Sequence, residues 1–270
     1  MNGISPINYE LEFEPDFKKF TFRGREKVSV KIPRPVNKIT LHAAELEITQ
    51  CKILWNGKEI KTKTRLDEKT EELVITFSQK ISGKATLSID FVGQLNDKLV
   101  GFYRSKYKYK GKEKYLATTQ FEAADARRAF PCWDEPEAKA TFDVSLIVDK
   151  NHTAISNMPV VSKKATGKKI QYKFNTTPIM STYLLYLAVG EFESISSKSG
   201  KTLIRVITTQ EKKEQGRLSL EFTRQFLSYF ERYFKIAYPL PKLDMIAIPD
   251  FASGAMENWG AITFRETILL

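Results

Sequence analysis

Two short stretches embed polar side chains among small and apolar ones, which is the setting that site chemistry needs. The first is Thr119-Gln120-Phe121-Glu122-Ala123-Ala124-Asp125-Ala126-Arg127-Arg128-Ala129-Phe130-Pro131-Cys132-Trp133-Asp134-Glu135-Pro136. Gln120 and Glu122 stand two apart, so in an extended backbone they share a face. Asp125, Arg127 and Arg128 are placed to form ion pairs that fix the loop. Glu122 taken alone reads better as an acid on the outer face of a strand. The second stretch is Gly254-Ala255-Met256-Glu257-Asn258-Trp259-Gly260. Gly254 and Ala255 are small enough for a ligand's backbone to approach the protein backbone. As an edge strand, the stretch would offer free N–H and C=O groups to an extended peptide. Glu257 would then place a carboxylate at the end of that peptide. A tight turn with a solvent-facing acid explains the same residues, and spacing leaves both readings open.

Such stretches need a scaffold, and up to about residue 190 the hydrophobic pattern is mostly that of strands. Tyr9 to Glu14 and Glu26 to Ile32 alternate strictly, and Pro33 and Pro35 are expected to end the second run. Leu73 to Phe77, Ala85 to Phe91, Thr141 to Val148 and Ile170 to Phe174 read as further strands. The continuous apolar run Tyr183 to Val189 reads as a buried strand. Asn56-Gly57 marks a hairpin, because it suits a turn with positive φ. Many short strands at short spacing predict a sandwich or saddle.

The character changes near residue 192. Ile204 to Ile207, Leu243 to Ile248 and Ala261 to Phe264 read as strands around a helix from Glu211 to Lys235. Thr209 is placed to cap that helix. Leu218, Phe222, Phe226, Tyr229 and Tyr233 recur at helical spacing and lie on one face. Pro239 and Pro241 stop it. The chain of 270 residues is thus expected to divide in two, in keeping with about 150 residues per domain.

Composition narrows the function. The net charge is +11, and Lys98 to Lys114 holds seven basic residues and one acid, interleaved with tyrosines. That is one composition of a nucleic-acid stripe. Period-two alternation favours another reading: a hairpin turned at Gly111, with Tyr103, Tyr107 and Tyr109 facing the protein and the lysines facing water. Cys51 and Cys132 exclude a disulfide framework and suit a reducing, cytoplasmic setting. The two histidines, His42 and His152, are too few for a histidine-based zinc site unless carboxylates do nearly all the ligation. The longest apolar run has seven residues, too short to span a bilayer, and the start Met1-Asn2-Gly3-Ile4 has no signal-like pattern.

Taken together, the two polar stretches resemble the M1-type gluzincin aminopeptidases. Gly254-Ala255-Met256-Glu257-Asn258 is similar to that family's GAMEN exopeptidase motif. Thr119 to Pro136 is similar to the segment that crosses from its N-terminal β-domain toward its active site. Asn157-Met158-Pro159 and Met180-Ser181-Thr182-Tyr183-Leu184-Leu185-Tyr186 also look like the family, and the resemblance runs in order from residue 7 to 264. Within it, the likeness points to the archaeal tricorn protease interacting factors.

The resemblance implies a mainly β fold: a β-sandwich or saddle domain over 1–192, then the α+β start of a thermolysin-like catalytic domain over 193–270. It implies zinc-dependent removal of N-terminal residues from oligopeptides. Glu257 would bind the substrate's α-amino group, with Glu122 as second carboxylate. Gly254, Ala255 and Met256 would line the peptide backbone, with Asn258 completing the motif, and Gln120 would wall the pocket for the first side chain. The implied partners are the remainder of the catalytic domain and, functionally, a large cytosolic protease, with no nucleic acid and no membrane.

One departure limits what the chain does alone. The family's His-Glu-x-x-His helix comes after GAMEN, and this sequence contains no such motif; His42 and His152 match no ligand position. The chain is therefore read as the N-terminal portion of a longer enzyme. It would hold no catalytic residue and no metal ligand, with zinc in the full-length protein, none expected here, and no activity by itself. The alternative is a non-catalytic β-domain that holds peptide N-termini or docks a partner.

Overall fold

The computed structural model describes residues 3–270, so the first two residues of the N-terminal start lie outside the described residues. The strands run β1 (Ser5–Asp16), β2 (Thr21–His42), β3 (Leu46–Trp55), β4 (Lys58–Asp67), β5 (Glu72–Gln94), β6 (Gly101–Tyr109), β7 (Lys112–Gln120), β8 (Thr141–Asp149), β9 (Thr153–Ser156), β10 (Val160–Thr166), β11 (Lys169–Phe174) and β12 (Leu187–Gly190). Next come β13 (Phe192–Ser199), β14 (Thr202–Thr209), α1 (Arg217–Phe234), β15 (Lys242–Ile248), β16 (Ala255–Met256), β17 (Ala261–Arg265) and α2 (Glu266–Leu269).

Three sheets result, and the fold is mainly β, as the sequence predicts. An eight-stranded sheet has the order β10-β11-β8-β1-β2-β5-β3-β4, and a four-stranded sheet the order β6-β7-β12-β9. Strict alternation decides which face is buried: Tyr9, Leu11 and Phe13 of β1 and Phe22, Val28, Val30 and Ile32 of β2 all turn into one core. Aromatic pairs line the inner face of the eight-stranded sheet, and Phe102 joins it from the four-stranded one. Tyr9 stacks on Phe142 at 5.2 Å, and Phe13 meets Phe22, Phe102 and Phe130 edge-on at 5.9–6.4 Å. Each such pair is worth about 0.5–1.5 kcal/mol beyond its area burial. Phe102 belongs to β6 and Phe130 to the stretch after β7, so this cluster fixes both against the large sheet.

The lysine–tyrosine stretch is the hairpin that alternation predicts. β6 and β7 pair antiparallel around Lys110-Gly111, with Tyr103 and Tyr107 buried and Lys106, Lys108 and Lys112 exposed. Asn56 and Gly57 turn β3 into β4, both with positive φ.

Several expectations are corrected. Pro33 and Pro35 do not end β2. They sit where its register against β5 shifts, between the Ile32–Gly83 and Val36–Ile81 pairs, where no ladder donor is required. The runs 73–77 and 85–91 are one strand, β5, bent at that irregularity. Only the end of the Tyr183–Val189 run is strand. Thr182–Leu184 forms a 3-10 turn, because Ser181, Thr182 and Asn157 side chains claim local backbone and carboxylate groups.

Glu26 breaks the apolar pattern. It is fully buried on the inner face of β2, and neither carboxylate oxygen has a hydrogen-bond partner. Burial pushes its carboxyl well above the usual range. A carboxyl raised in the folded state favours folding most below its unfolded pKa, and that advantage is lost as pH climbs toward the folded value. Glu26→Met should therefore raise stability by about 1–3 kcal/mol at pH 7. The gain should shrink toward pH 4; urea midpoints that show the same gain at both pH values would contradict this.

The third sheet has the order β13-β14-β15-β17-β16. β14 and β15 are parallel, so the chain must cross over between them, and α1 is that crossover. The helix begins at Arg217, after a 3-10 turn at Lys213–Gly216, and not at Glu211. Thr209 does not cap it: its hydroxyl is buried without a partner, and Gly216 holds the N-cap position. The face of Leu218, Phe222, Phe226, Tyr229 and Tyr233 is real but points outward, each residue being 46–66% exposed. The opposite face packs on β13 and β14, where Thr223 is buried and Ser228 meets Ser199 at 2.9 Å. So large an apolar face calls for cover.

Candidate functional site

β16 is the outer strand of the third sheet, and it is very short. Ala255 pairs with Phe264 and Met256 with Thr263, which leaves its other edge without a neighbour in the sheet. The edge-strand reading of Gly254–Gly260 therefore holds, and the turn reading applies only to the residues after Met256. Met256 is buried and Ala255 half-buried, while Gly254 and Glu257 are exposed. Asn258 turns inward: its amide donates to the Ala261 carbonyl at 3.3 Å and the Thr263 hydroxyl at 3.4 Å. Its side chain is spent on the turn, so only its backbone faces outward chemistry.

Hydrogen bonds to neighbouring segments hold both ends of this strand. On the N-terminal side, the Tyr103 hydroxyl donates to the Asp250 carbonyl at 2.9 Å, and the Asp250 carboxylate accepts the Lys106 N–H at 2.7 Å. Arg265 reaches back to the Phe251 and Ala252 carbonyls, and its N–H meets the Gly254 carbonyl at 2.9 Å. On the C-terminal side, Asn157 donates to the Trp259 and Leu184 carbonyls at 2.9 and 2.8 Å and accepts from the Tyr186 N–H. Gly260 has φ +72, and a Cβ there would lie 2.5 Å from the Asn157 carbonyl oxygen, so only glycine fits.

Charge completes the frame. Asp244 is fully buried and takes both Arg205 nitrogens, Nε and Nη2, at 2.7 Å, as well as Lys242 Nζ at 2.7 Å. Lys242 also donates to the Gly260 carbonyl at 2.7 Å. Burial lowers the Lys242 ammonium from its ordinary value, opposed by Asp244. The loop is thus hung on a desolvated charge cluster, in which every partner matters.

The stretch after β7 is fixed in the same manner. Arg127 bonds Asp134 and Glu71 at 3.1 Å, and Arg128 bonds Asp125 at 2.8 Å and Glu71 at 3.2 Å. The loop ion pairs expected from sequence are present, with Glu45 and Glu71 as added partners. Gln120 ends β7, buried, with its carbonyl oxygen lacking a partner. Glu122 is exposed. Among the described residues neither Glu122 nor Glu257 enters an ion pair, whereas Asp125 and Asp134 do. No direct hydrogen bond joins Gln120 or Glu122 to 254–258 among the described residues. The two stretches share a frame instead: β6, which pairs with β7 up to Gln120, also carries Tyr103 and Ser105, which hold Asp250.

Sequence reasoning missed Lys242, Asp244, Arg205 and Asp250. A signal existed in Lys242-Leu243-Asp244, two charges opening an otherwise apolar strand. The histidines lie elsewhere. His42 Nδ1 accepts the Asp134 N–H at 3.1 Å, with burial and then Arg127 lowering its pKa, and His152 packs edge-on against Phe17 at 4.9 Å. No group of three or more His, Cys, Asp or Glu side chains is arranged to hold a metal among the described residues. The residues present do not fit a catalytic zinc.

Comparison with known proteins identifies the family. Residues 5–184 match the Peptidase M1 N-terminal domain, and residues 218–270 match the Peptidase family M1 domain. Similar proteins include Aminopeptidase M1-B of Oryza sativa subsp. japonica, 44% identical over 98% of this chain and 30% of its own length. Aminopeptidase 2, mitochondrial, of Saccharomyces cerevisiae is 42% identical over 100% of this chain and 29% of its own. Puromycin-sensitive aminopeptidase of Caenorhabditis elegans is 46% identical over 98% and 29%. The chain spans about 30% of the length of these relatives. With β1 to β11 matched by one model of the family and almost all of α1 through α2 by the other, the chain belongs to the M1 peptidase family.

Proposed function

We propose that this chain is the N-terminal portion of a zinc-dependent aminopeptidase, and that it carries the groups that recognise a peptide's free N-terminus. The edge strand β16, rigidly hung and followed by the uncommitted carboxylate of Glu257, supports this reading most directly. An extended substrate would add to the free edge of β16 through its backbone. Glu257, with Glu122, would compensate the substrate ammonium, whose desolvation otherwise costs several kcal/mol. An internal peptide bond offers no ammonium, so the same pair would enforce cleavage from the end. Gln120, with its unpartnered buried carbonyl oxygen, would wall the pocket for the first side chain. Asn258 would shape the loop from within.

The zinc, which supplies the activated water in the complete enzyme, would be held by residues outside this chain. Those residues belong to the remainder of the catalytic domain, which would also cover the outward face of α1. Our proposed domain boundary is 192/193, one residue into β13 and two after the four-stranded sheet ends at Gly190. The enzyme would work in the cytoplasm, downstream of a large protease; two free cysteines suit that compartment, and no described helix is long and apolar enough to cross a membrane.

The test compares the chain with a full-length enzyme that carries it. The enzyme should cleave leucyl-anilide and reject N-acetyl-leucyl-anilide, and the 270-residue chain should cleave neither and hold no stoichiometric zinc. Cleavage of the acetylated substrate at a comparable rate would refute ammonium recognition. Activity with one bound zinc in the chain alone would refute the division of roles.

A further inference from the structure

A cavity of about 320 Å³ lies where the three sheets meet, away from β16, within the size range of small-ligand sites. Tyr172 and Phe174 of β11 and Ile207 of β14 form its apolar floor, all at most 5% exposed. Two cations look onto that floor. Lys163 pairs in register with Tyr172, and its Nζ stands 4.9 Å from that ring's centre, with no acidic partner among the described residues. Arg205 follows Leu203 and precedes Ile207 on the cavity face of β14. It gives Nε and Nη2 to Asp244 and leaves Nη1 without a partner. Lys242 on the wall shares the one Asp244 carboxylate with Arg205, which leaves a net positive charge, and gives a second Nζ hydrogen to the Gly260 carbonyl. Glu193 borders the cavity, but its neighbour Ser194 is the residue opposite Ile207, so period-two alternation sends the Glu193 side chain to the other face.

We propose that this junction is a binding site for a small apolar carboxylate, with its head on Arg205 Nη1 and Lys163 Nζ and its tail over Tyr172, Phe174 and Ile207. Two spare cationic donors and an apolar floor select this chemistry over a neutral or cationic ligand. The site reaches the peptide-recognition loop through four groups in series: Arg205 holds Asp244, Asp244 holds Lys242, and Lys242 holds the Gly260 carbonyl.

The site can be tested on the 270-residue chain by isothermal titration calorimetry with 4-phenylbutyrate and its uncharged isostere 4-phenylbutyramide. Saturable one-to-one binding of the acid is expected, with the amide at least about tenfold weaker, as loss of a charge-assisted contact implies. Lys163→Glu should weaken the acid by at least about tenfold, and Lys163 is exposed and unpaired, so the fold should tolerate the change. Ser194→Trp, at an exposed position facing Ile207, should fill the cavity and abolish binding with an unchanged circular dichroism spectrum. Equal binding of acid and amide, binding indifferent to both substitutions, or no saturable heat into the millimolar range would each overturn the proposal.

Discussion

In a full-length enzyme that carries this chain, Glu257→Gln is expected to lower kcat/KM by roughly two to three orders of magnitude. Truncating one partner of a desolvated charge pair costs about 2–5 kcal/mol, and about 1.4 kcal/mol corresponds to a tenfold change. Glu257 is free to act in this way because its side chain is exposed and, among the described residues, enters no ion pair, while its backbone is fixed between Gly254, held by Arg265, and the Trp259 and Gly260 carbonyls, held by Asn157 and Lys242 in turn. Glu122→Gln should act in the same direction and less strongly, since no bond fixes it directly to the loop. Both variants should retain their zinc. Near-normal activity of Glu257→Gln would remove the ammonium role, and metal loss from either variant would move these carboxylates into the metal site.

Asp244→Asn should destabilise the fold by about 3–5 kcal/mol, the usual cost of leaving a buried charge uncompensated. Asp244 is fully buried and, among the described residues, is the one acid in an ion pair with Lys242, itself 3% exposed, and it takes two bonds from Arg205. With the carboxylate gone, the Lys242 ammonium, already lowered by burial, has nothing to hold its charge, and its bond to the Gly260 carbonyl weakens. Urea unfolding should show a lower midpoint at unchanged slope. A shift equivalent to less than about 1 kcal/mol would mean that the cluster is solvated and does not hang the loop.

The lysine–tyrosine hairpin and most strands of the two N-terminal sheets were legible because each rests on local rules, whereas the edge position of Ala255–Met256 was one of two readings that spacing left open. Side chains alternate along a strand, Asn-Gly and Lys-Gly dipeptides accept positive φ, and small residues admit a neighbouring backbone. The same rules failed where a distant partner decided. Pro33 and Pro35 look like strand ends, yet the register slip between β2 and β5 accommodates them. Tyr183 to Tyr186 look like strand, yet Asn157 captures the Leu184 carbonyl and the Tyr186 N–H.

The site divides along the same line. Residue type and spacing mark Gln120, Glu122 and Gly254–Asn258 as candidates, and the roles proposed for them rest on the resemblance to a family's motifs. Residue type and spacing were enough, too, to give α1 one apolar face. That this face points outward emerged from packing, since helical period fixes a stripe but not its direction. Packing likewise revealed that Lys242, Asp244 and Arg205 are buried together. Period two puts Lys242 and Asp244 on one face of β15, and a charged face reads as solvated until the fold shows it buried with Arg205 of the neighbouring strand and the Gly260 carbonyl as partners. Desolvation depends on what surrounds a residue in space, and the partners of Asp244 and Lys242 come from segments that local sequence does not reveal.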